Sequence, residues 1–217
     1  MTLNPLDVPD VTEPYQPRSG QRGSGFLTDP LRLGPTPSAT VGPYLAIRLT
    51  WPDGIWAADE RTEGGIWIRG RVFDGAAQVV PDAMVETWQA DPDGGFPSPE
   101  DPRGAATYPG FRGYARAQTV EPPGEFGIFT LKPGRVPDGD GGLQAPHIDV
   151  SLFARGILDR VVTRIYFADE DEANTEDVVL RGLSEDQRRT LIAEKTDDGY
   201  RLDFYLQGER ETVFFAV

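Results

Sequence analysis

The segment QAPHIDVSLFARG, residues Gln144–Gly156, contains the only histidine of the 217-residue chain and predicts the central strand of the fold. From Ile148 onward every second residue is apolar, which is typical of a strand with one buried face. His147 and Asp149 stand two positions apart, so on a strand both side chains point the same way, roughly 7 Å apart. The glycine- and proline-rich stretch 132–145 precedes them, and loops on a rigid sheet often form pockets. The spacing fits a partly exposed polar strand face equally well, so both alternatives stay open.

Composition indicates one domain. The chain is 38% hydrophobic and has 25 glycines and 20 prolines, which is enough apolar material for a core and indicates many turns. A formal charge of −14 argues against nucleic acid or an anionic membrane as a partner. No apolar run approaches the ~18 residues of a membrane span, and no signal pattern opens the chain, so we expect a cytoplasmic protein.

The single histidine and the absence of cysteine limit the chemistry that the chain can perform alone. Sites with three histidines, with two histidines and a carboxylate, or with zinc thiolates are excluded within one chain. A Ser-His-Asp triad would have to use His147, and the sequence has no G-x-S-x-G motif.

We divide the chain into an extended N-terminal arm, residues 1–37, and a β-sandwich domain, residues 38–217. The arm has seven prolines and no sustained periodicity, and it suits wrapping around a partner subunit. Within the domain, the proline- and glycine-rich loop that runs from residue 91 to about 113 is long enough to be functional.

Period-2 runs predict the strands of the domain. They cover residues 44–49, 66–73, 83–89, 114–119, 125–131, the central strand at His147, 160–167, 200–206 and 211–217. Asp74 and Gly75 predict a hairpin that joins 66–73 to 83–89, and the last two strands are expected to pair across residues 207–210.

One short helix is predicted. Ser184 and Gln187 form a capping box, and Leu183, Leu191 and Ile192 are expected to form the apolar face of the helix. The acidic run 169–172 is expected to be a solvated loop. Many strands with one helix indicate an all-β sandwich.

Six phrases of the chain, taken together and in order, resemble the intradiol ring-cleavage dioxygenases. They are GRVFDG (70–75), WQADPDG (88–94), LKPG (131–134), PHI (146–148), SLFARG (151–156) and QGERETVFF (207–215). The resemblance implies a mixed β-sandwich related in shape to transthyretin. Catalytic chains of this family hold one Fe(III) with two tyrosinates and two histidines, and hard iron suits phenolate oxygens. They bind a catechol through its two hydroxyls, and O2 opens the ring between the hydroxylated carbons.

Set onto this chain, the four iron-ligand positions fall on Phe96, Val136, His147 and Asp149. Phe96 has no hydroxyl and Val136 cannot ligate, so one ligand of four remains, and we expect no metal site and no catalytic residue in this chain alone. An arginine that precedes the first histidine in catalytic chains corresponds to Gln144 here.

The resemblance then implies a non-iron alpha-type subunit that completes the pocket of a homologous beta subunit carrying Fe(III). The expected substrates are O2 and protocatechuate (3,4-dihydroxybenzoate), whose carboxylate needs a cation or several donors in a desolvated pocket. The residues implied for this substrate-binding wall are Thr40, Gly42, Tyr44 and Arg155. Read without the family, Arg155 is an ordinary solvated residue at a strand end, and Tyr44 an ordinary strand aromatic.

Two other functions remain open at this point. One is a self-sufficient dioxygenase with an altered metal site, in which Tyr108 or Tyr114 joins His147 and Asp149. The other is a transthyretin-like module that binds a small aromatic acid without catalysis.

Overall fold

The computed structural model describes residues 49–101, 103–105 and 108–216. The predicted arm, nearly all of the predicted strand 44–49, and the residues Thr40, Gly42 and Tyr44 lie outside the described part of the chain.

The described residues form eleven strands and three short helices. In chain order these are β1 (Gly65–Phe73), β2 (Met84–Trp88), β3 (Tyr114–Gln118), β4 (Glu125–Leu131), β5 (Val136–Pro137), β6 (Leu143–Gln144), β7 (His147–Phe153), β8 (Val161–Phe167), α1 (Asp171–Glu176), α2 (Val178–Arg181), α3 (Glu185–Arg189), β9 (Ile192–Thr196), β10 (Gly199–Arg201) and β11 (Phe204–Tyr205). No helix in this part of the chain is long and apolar enough to cross a membrane.

Nine of the strands form one mixed sheet with the order β11-β1-β10-β9-β8-β7-β2-β3, and β4 pairs with β1 outside that path. Strand β1 runs antiparallel to β4 and parallel to β10 and β11. Strand β7 lies between β2 and β8, antiparallel to both. Parallel pairing of β8 with β9 joins the two halves of the sheet.

The core is packed by apolar side chains from both halves of this sheet. From the β1 side come Ile68, Val72, Phe126, Ile128 and Phe204, and from the β7 side Val85, Val150, Leu152 and Ile165. Each side chain of this size contributes about 1.5–3 kcal/mol when fully buried. The alternation seen in the sequence from Ile148 is therefore the core face of β7, and the predicted all-β sandwich is confirmed.

The predicted hairpin between 66–73 and 83–89 is wrong. Asp74 does begin a turn, in which its amide donates to the Gln78 carbonyl. After this turn the chain pairs back with β1 through an isolated β-bridge between Phe73 and Val79 and forms no second strand of a hairpin. The chain then leaves for the other half of the sheet, where β2 pairs with β3 and β7. Both strands have a core face, so their period-2 patterns could not reveal that they are not neighbours.

The C-terminal prediction also needs correction. The predicted strand 200–206 is divided into β10 and β11, and of residues 211–216 only Phe215 makes a bridge, to Val162. Among the described residues no strand ladder forms across residues 207–210: the Thr212 amide donates to the Tyr205 carbonyl, and β11 pairs with β1 instead.

The helix at Ser184 has the predicted capping box, but it ends at Arg189. Leu191 is buried and Ile192 begins β9. These two apolar side chains therefore belong to the start of the next strand and not to the apolar face of the helix. The described residues contain two further helices, and α1 begins inside the acidic run that was expected to be a loop. Each has six residues or fewer, which is too short to show a helical period.

Candidate functional site

The four residues predicted to correspond to iron-ligand positions of the family come together. Phe96, Val136, His147 and Asp149 all line one cavity of about 670 Å³. The cavity lies where β7 begins, and its wall is completed by the end of β2, by β8 and by the loop after β2. Of the two alternatives for His147 and Asp149, the structure therefore favours a pocket over an open strand face.

His147 is held as a neutral imidazole at the back of this cavity. The residue is 6% exposed, and its Nδ1 donates to the Ala145 carbonyl over 2.7 Å. Burial and the nearby Arg164 guanidinium lower the pKa of His147, so Nε2 keeps its lone pair at neutral pH. That Nε2 lies 3.9 Å from the nearer oxygen of Asp149, which is beyond hydrogen-bond distance.

A buried carboxylate fixes the backbone beside His147. Asp177 is fully buried, caps α2 through the amides of Val179 and Leu180, and accepts a 2.8 Å hydrogen bond from the Ala145 amide. Because Ala145 also receives the bond from His147, the imidazole is oriented through one rigid residue.

Arg164 is the main residue of the cavity that the sequence did not reveal. Its Nε donates to Asp149 Oδ1 over 2.9 Å, and its Nη1 donates to Gln144 Oε1 over 2.7 Å. The register places Trp88, Asp149 and Arg164 in one row across β2, β7 and β8. Side chains opposed in this way share a face and lie about 5 Å apart at Cβ, so the ion pair follows from the β7–β8 register.

The loop after β2 forms the second wall. Phe96 stacks on Trp88 with ring centroids 5.9 Å apart and planes 15° apart. The Phe96 amide donates to the buried carboxylate of Asp101, which also accepts from the Arg103 guanidinium at 2.9 and 3.0 Å. These hydrogen bonds, that of Arg103 foremost, hold the pKa of Asp101 well below its usual range. The wall is thus fixed by ionic as well as aromatic contacts.

The donor set does not fit Fe(III). A phenyl ring and an isopropyl group stand at two of the four positions, and the carboxylate of Asp149 already neutralises Arg164. The Asp149 oxygen that could face a metal is instead engaged by the Nε–H of Arg164. Within the described ranges no group of three or more His, Asp or Glu side chains could hold a metal ion.

The rival tyrosines do not reach the cavity. The Tyr114 hydroxyl donates to Glu86 over 3.0 Å, and burial together with Glu86 raises the pKa of Tyr114, which disfavours a phenolate. Tyr108 packs its ring on Phe111 with centroids 6.5 Å apart. Neither tyrosine lines the cavity at His147.

Arg155 lies beyond the opposite end of β7. That strand has seven residues and spans about 20 Å, so Arg155 and the cavity are well separated. The Arg155 side chain is 60% exposed, and its Nε lies 3.1 Å from Asp82 Oδ2. The structure therefore does not bring Arg155 together with His147.

Comparison with known proteins agrees with the fold. A family model described as dioxygenase matches residues 53–208. The protocatechuate 3,4-dioxygenase alpha chain of Pseudomonas putida is 40% identical over 203 residues, covering 86% of this chain and 98% of that one. The beta chain of the Burkholderia cepacia enzyme is 32% identical over 157 residues, covering 68% of this chain and 66% of that one.

A solved structure supports the same assignment. The dioxygenase domain of a dioxygenase–carbohydrate-binding protein fusion from Streptomyces sp. SirexAA-E superimposes with a TM-score of 0.50 at 26% identity, covering 81% of this chain and 99% of that domain. The β-sandwich is thus that of a dioxygenase. More particularly, the chain belongs to the intradiol ring-cleavage dioxygenase family, as its sequence predicted.

Proposed function

We propose that this chain is the non-iron alpha subunit of a cytoplasmic protocatechuate 3,4-dioxygenase. A homologous beta subunit carries the Fe(III), and the complex uses O2 to open the ring of 3,4-dihydroxybenzoate between its two hydroxylated carbons. Support comes from the relatives, since a similar chain is named as the alpha chain of such an enzyme and a more distant one as a beta chain.

One observation carries this proposal. The chain keeps the fold of the family, but an internal Arg164–Asp149 ion pair stands where catalytic chains are expected to bind iron. Two further positions, Phe96 and Val136, have no donor atom. The iron chemistry of the family therefore requires a second chain, and this chain contributes binding rather than catalytic groups.

Arg155 is the described residue that suits this contribution. Its guanidinium is exposed, and Asp82 holds it through Nε, which lies 3.1 Å from Asp82 Oδ2. A guanidinium held in this way presents a planar pair of donors that matches a carboxylate. We place Arg155, together with Thr40, Gly42 and Tyr44, at the carboxylate end of the substrate in the shared pocket.

The test is Arg155→Ala in the complex with the beta subunit. A lost charge-assisted contact of about 1.5–3 kcal/mol raises KM for protocatechuate by roughly 10- to 100-fold. The KM for catechol, which lacks the carboxylate, should change much less, and Tyr44→Phe should show the same selectivity with a smaller effect.

The control is Arg160→Ala, which removes another exposed arginine from the same loop region. Equal losses for protocatechuate and catechol, or an equal effect of Arg160→Ala, would remove Arg155 from the binding wall.

A further inference from the structure

Another cavity lies beside β9 and β10, and it shares no lining residue with the cavity at His147. It is lined by the end of α3, by β9 and by residues of the segment 201–210. Its volume of about 540 Å³ falls within the ~300–1,000 Å³ typical of small-molecule pockets. The aliphatic side chains that line it are Ile192 and the buried Leu202. The cavity therefore offers a small ligand some apolar contact among many charged groups.

Arg210 provides the cation of this cavity that a ligand can use. Its guanidinium lies over the Tyr205 ring, with Cζ 4.2 Å from the ring centroid. Tyr205 in turn stacks on Phe73, with ring centroids 4.8 Å apart and planes 11° apart. A guanidinium on an aromatic face is held by cation–π attraction and keeps its N–H donors in its own plane. In the part of the chain that the structure describes, Arg210 makes no hydrogen bond and no ion pair.

The other two arginines of the lining are already neutralised. Arg189 pairs with Glu185 and Asp186 of its own helix. Arg201 donates through Nη2 to Asp203 Oδ1 over 2.9 Å. Among the described lining residues, Arg210 is therefore the guanidinium whose charge no carboxylate compensates.

Two carboxylates of the same cavity are also uncompensated. Glu194 lies opposite Arg201 in the β9–β10 register, but Arg201 is engaged by Asp203. Neither Glu194 nor Glu209 forms an ion pair within the described ranges. A ligand with one negative and one positive group meets both kinds of charge, whereas a ligand with one kind leaves the other unmatched.

We propose that this cavity binds a free α-amino acid with an apolar side chain. The ligand carboxylate accepts from Arg210, the ammonium group donates to Glu194 or Glu209, and the side chain contacts Ile192 and Leu202. The site performs no chemistry. It shares no residue with the wall proposed at Arg155, so it is independent of the proposed ring cleavage.

Fluorine NMR of the full chain tests this with three matched probes. 4-Fluorophenylalanine has both charges, 3-(4-fluorophenyl)propionate lacks the ammonium group, and 4-fluorophenethylamine lacks the carboxylate. The amino acid should show a saturable shift, and the other two should bind more weakly by roughly tenfold or more, because each lacks one charge-assisted contact. No saturable binding of the amino acid, or binding of either analogue as tight as that of the amino acid, would overturn the proposal.

Two exposed-site variants locate the binding site. Arg210→Gln removes the partner of the carboxylate, and the double variant Glu194→Gln, Glu209→Gln removes the partners of the ammonium group. Each should weaken binding of 4-fluorophenylalanine by roughly tenfold or more.

The control is Arg181→Gln, which changes an exposed arginine of α2 outside this cavity and should leave binding unchanged. Circular dichroism checks that each variant is folded. Wild-type affinity in Arg210→Gln or in the double variant, or an equal loss in Arg181→Gln, would show that the amino acid does not bind in this way.

Discussion

The two ends of strand β7 differ in how their charged side chains are paired and exposed. At the His147 end, the four residues predicted to correspond to family ligands line a cavity that contains two internal ion pairs, Arg164–Asp149 and Arg103–Asp101. At the Arg155 end, a guanidinium projects into solvent and is anchored through one nitrogen. The ion pairs of the cavity join residues of this chain to each other and stabilise the fold. The guanidinium of Arg155 is exposed instead, and it is available to a ligand. This difference is what the proposed function expects of a chain that contributes binding groups while a partner subunit holds the metal.

The largest effect is expected from breaking the ion pair at the cavity. Arg164→Ala leaves Asp149 and the Gln144 side chain without their donor, and should lower the free energy of unfolding by about 2–3 kcal/mol. Denaturant unfolding measures this.

The matched control is Arg189→Ala, because that arginine has a 67% exposed side chain and, within the described part of the chain, pairs only with acids of its own helix. It should change the unfolding free energy by less than about 0.5 kcal/mol. If both variants lose the same amount, the Arg164 pair is not a structural element of the cavity.

A second effect at the same end depends on pH. Because Arg103 and two backbone amides depress the pKa of Asp101 in the folded state, its carboxylate stabilises the fold above the unfolded pKa of about 3.9, and this contribution is lost as the pH falls below it. Asp101→Asn should therefore be less stable than wild type at pH 7, with a difference that narrows below about pH 4. Thermal melts from pH 7 to pH 3 measure it, and a constant difference over that range would contradict this role.

The smallest effect is expected at the Arg155 end. Asp82→Asn weakens the anchor of the guanidinium but leaves the cation in place. Ordering a freed side chain costs roughly 0.5–1 kcal/mol, so KM for protocatechuate should rise about threefold in the complex. Neither kcat nor KM for catechol should change. A fall in kcat instead would mean that Asp82 acts on more than the Arg155 anchor.

Local patterns predicted much of the fold. The alternation from Ile148, the capping box at Ser184 and the run 125–131 each gave an element that the structure contains. Patterns of this kind report burial of one face, but not which strand lies alongside. The hairpin predicted at Asp74 therefore failed, because β1 and β2 bury the same kind of face in different halves of the sheet.

The same limit applies to the cavity. His147 and Asp149 were found from their spacing, and Phe96 and Val136 only from the resemblance to a family. Arg164 was missed because its position depends on the β7–β8 register, which no local signal gives. Asp177 was missed for a similar reason, since its bond to Ala145 joins residues 32 apart in the chain.

The central claim is that iron belongs to the partner and not to this chain. The most direct measurement is iron content and visible absorption of the chain purified alone, and then co-purified with a homologous beta subunit. We predict a colourless chain without stoichiometric iron that joins a coloured, protocatechuate-cleaving complex. A chain that alone holds about one iron with a tyrosinate charge-transfer band would contradict the account, and Tyr108 and Tyr114 would then be the ligands to test.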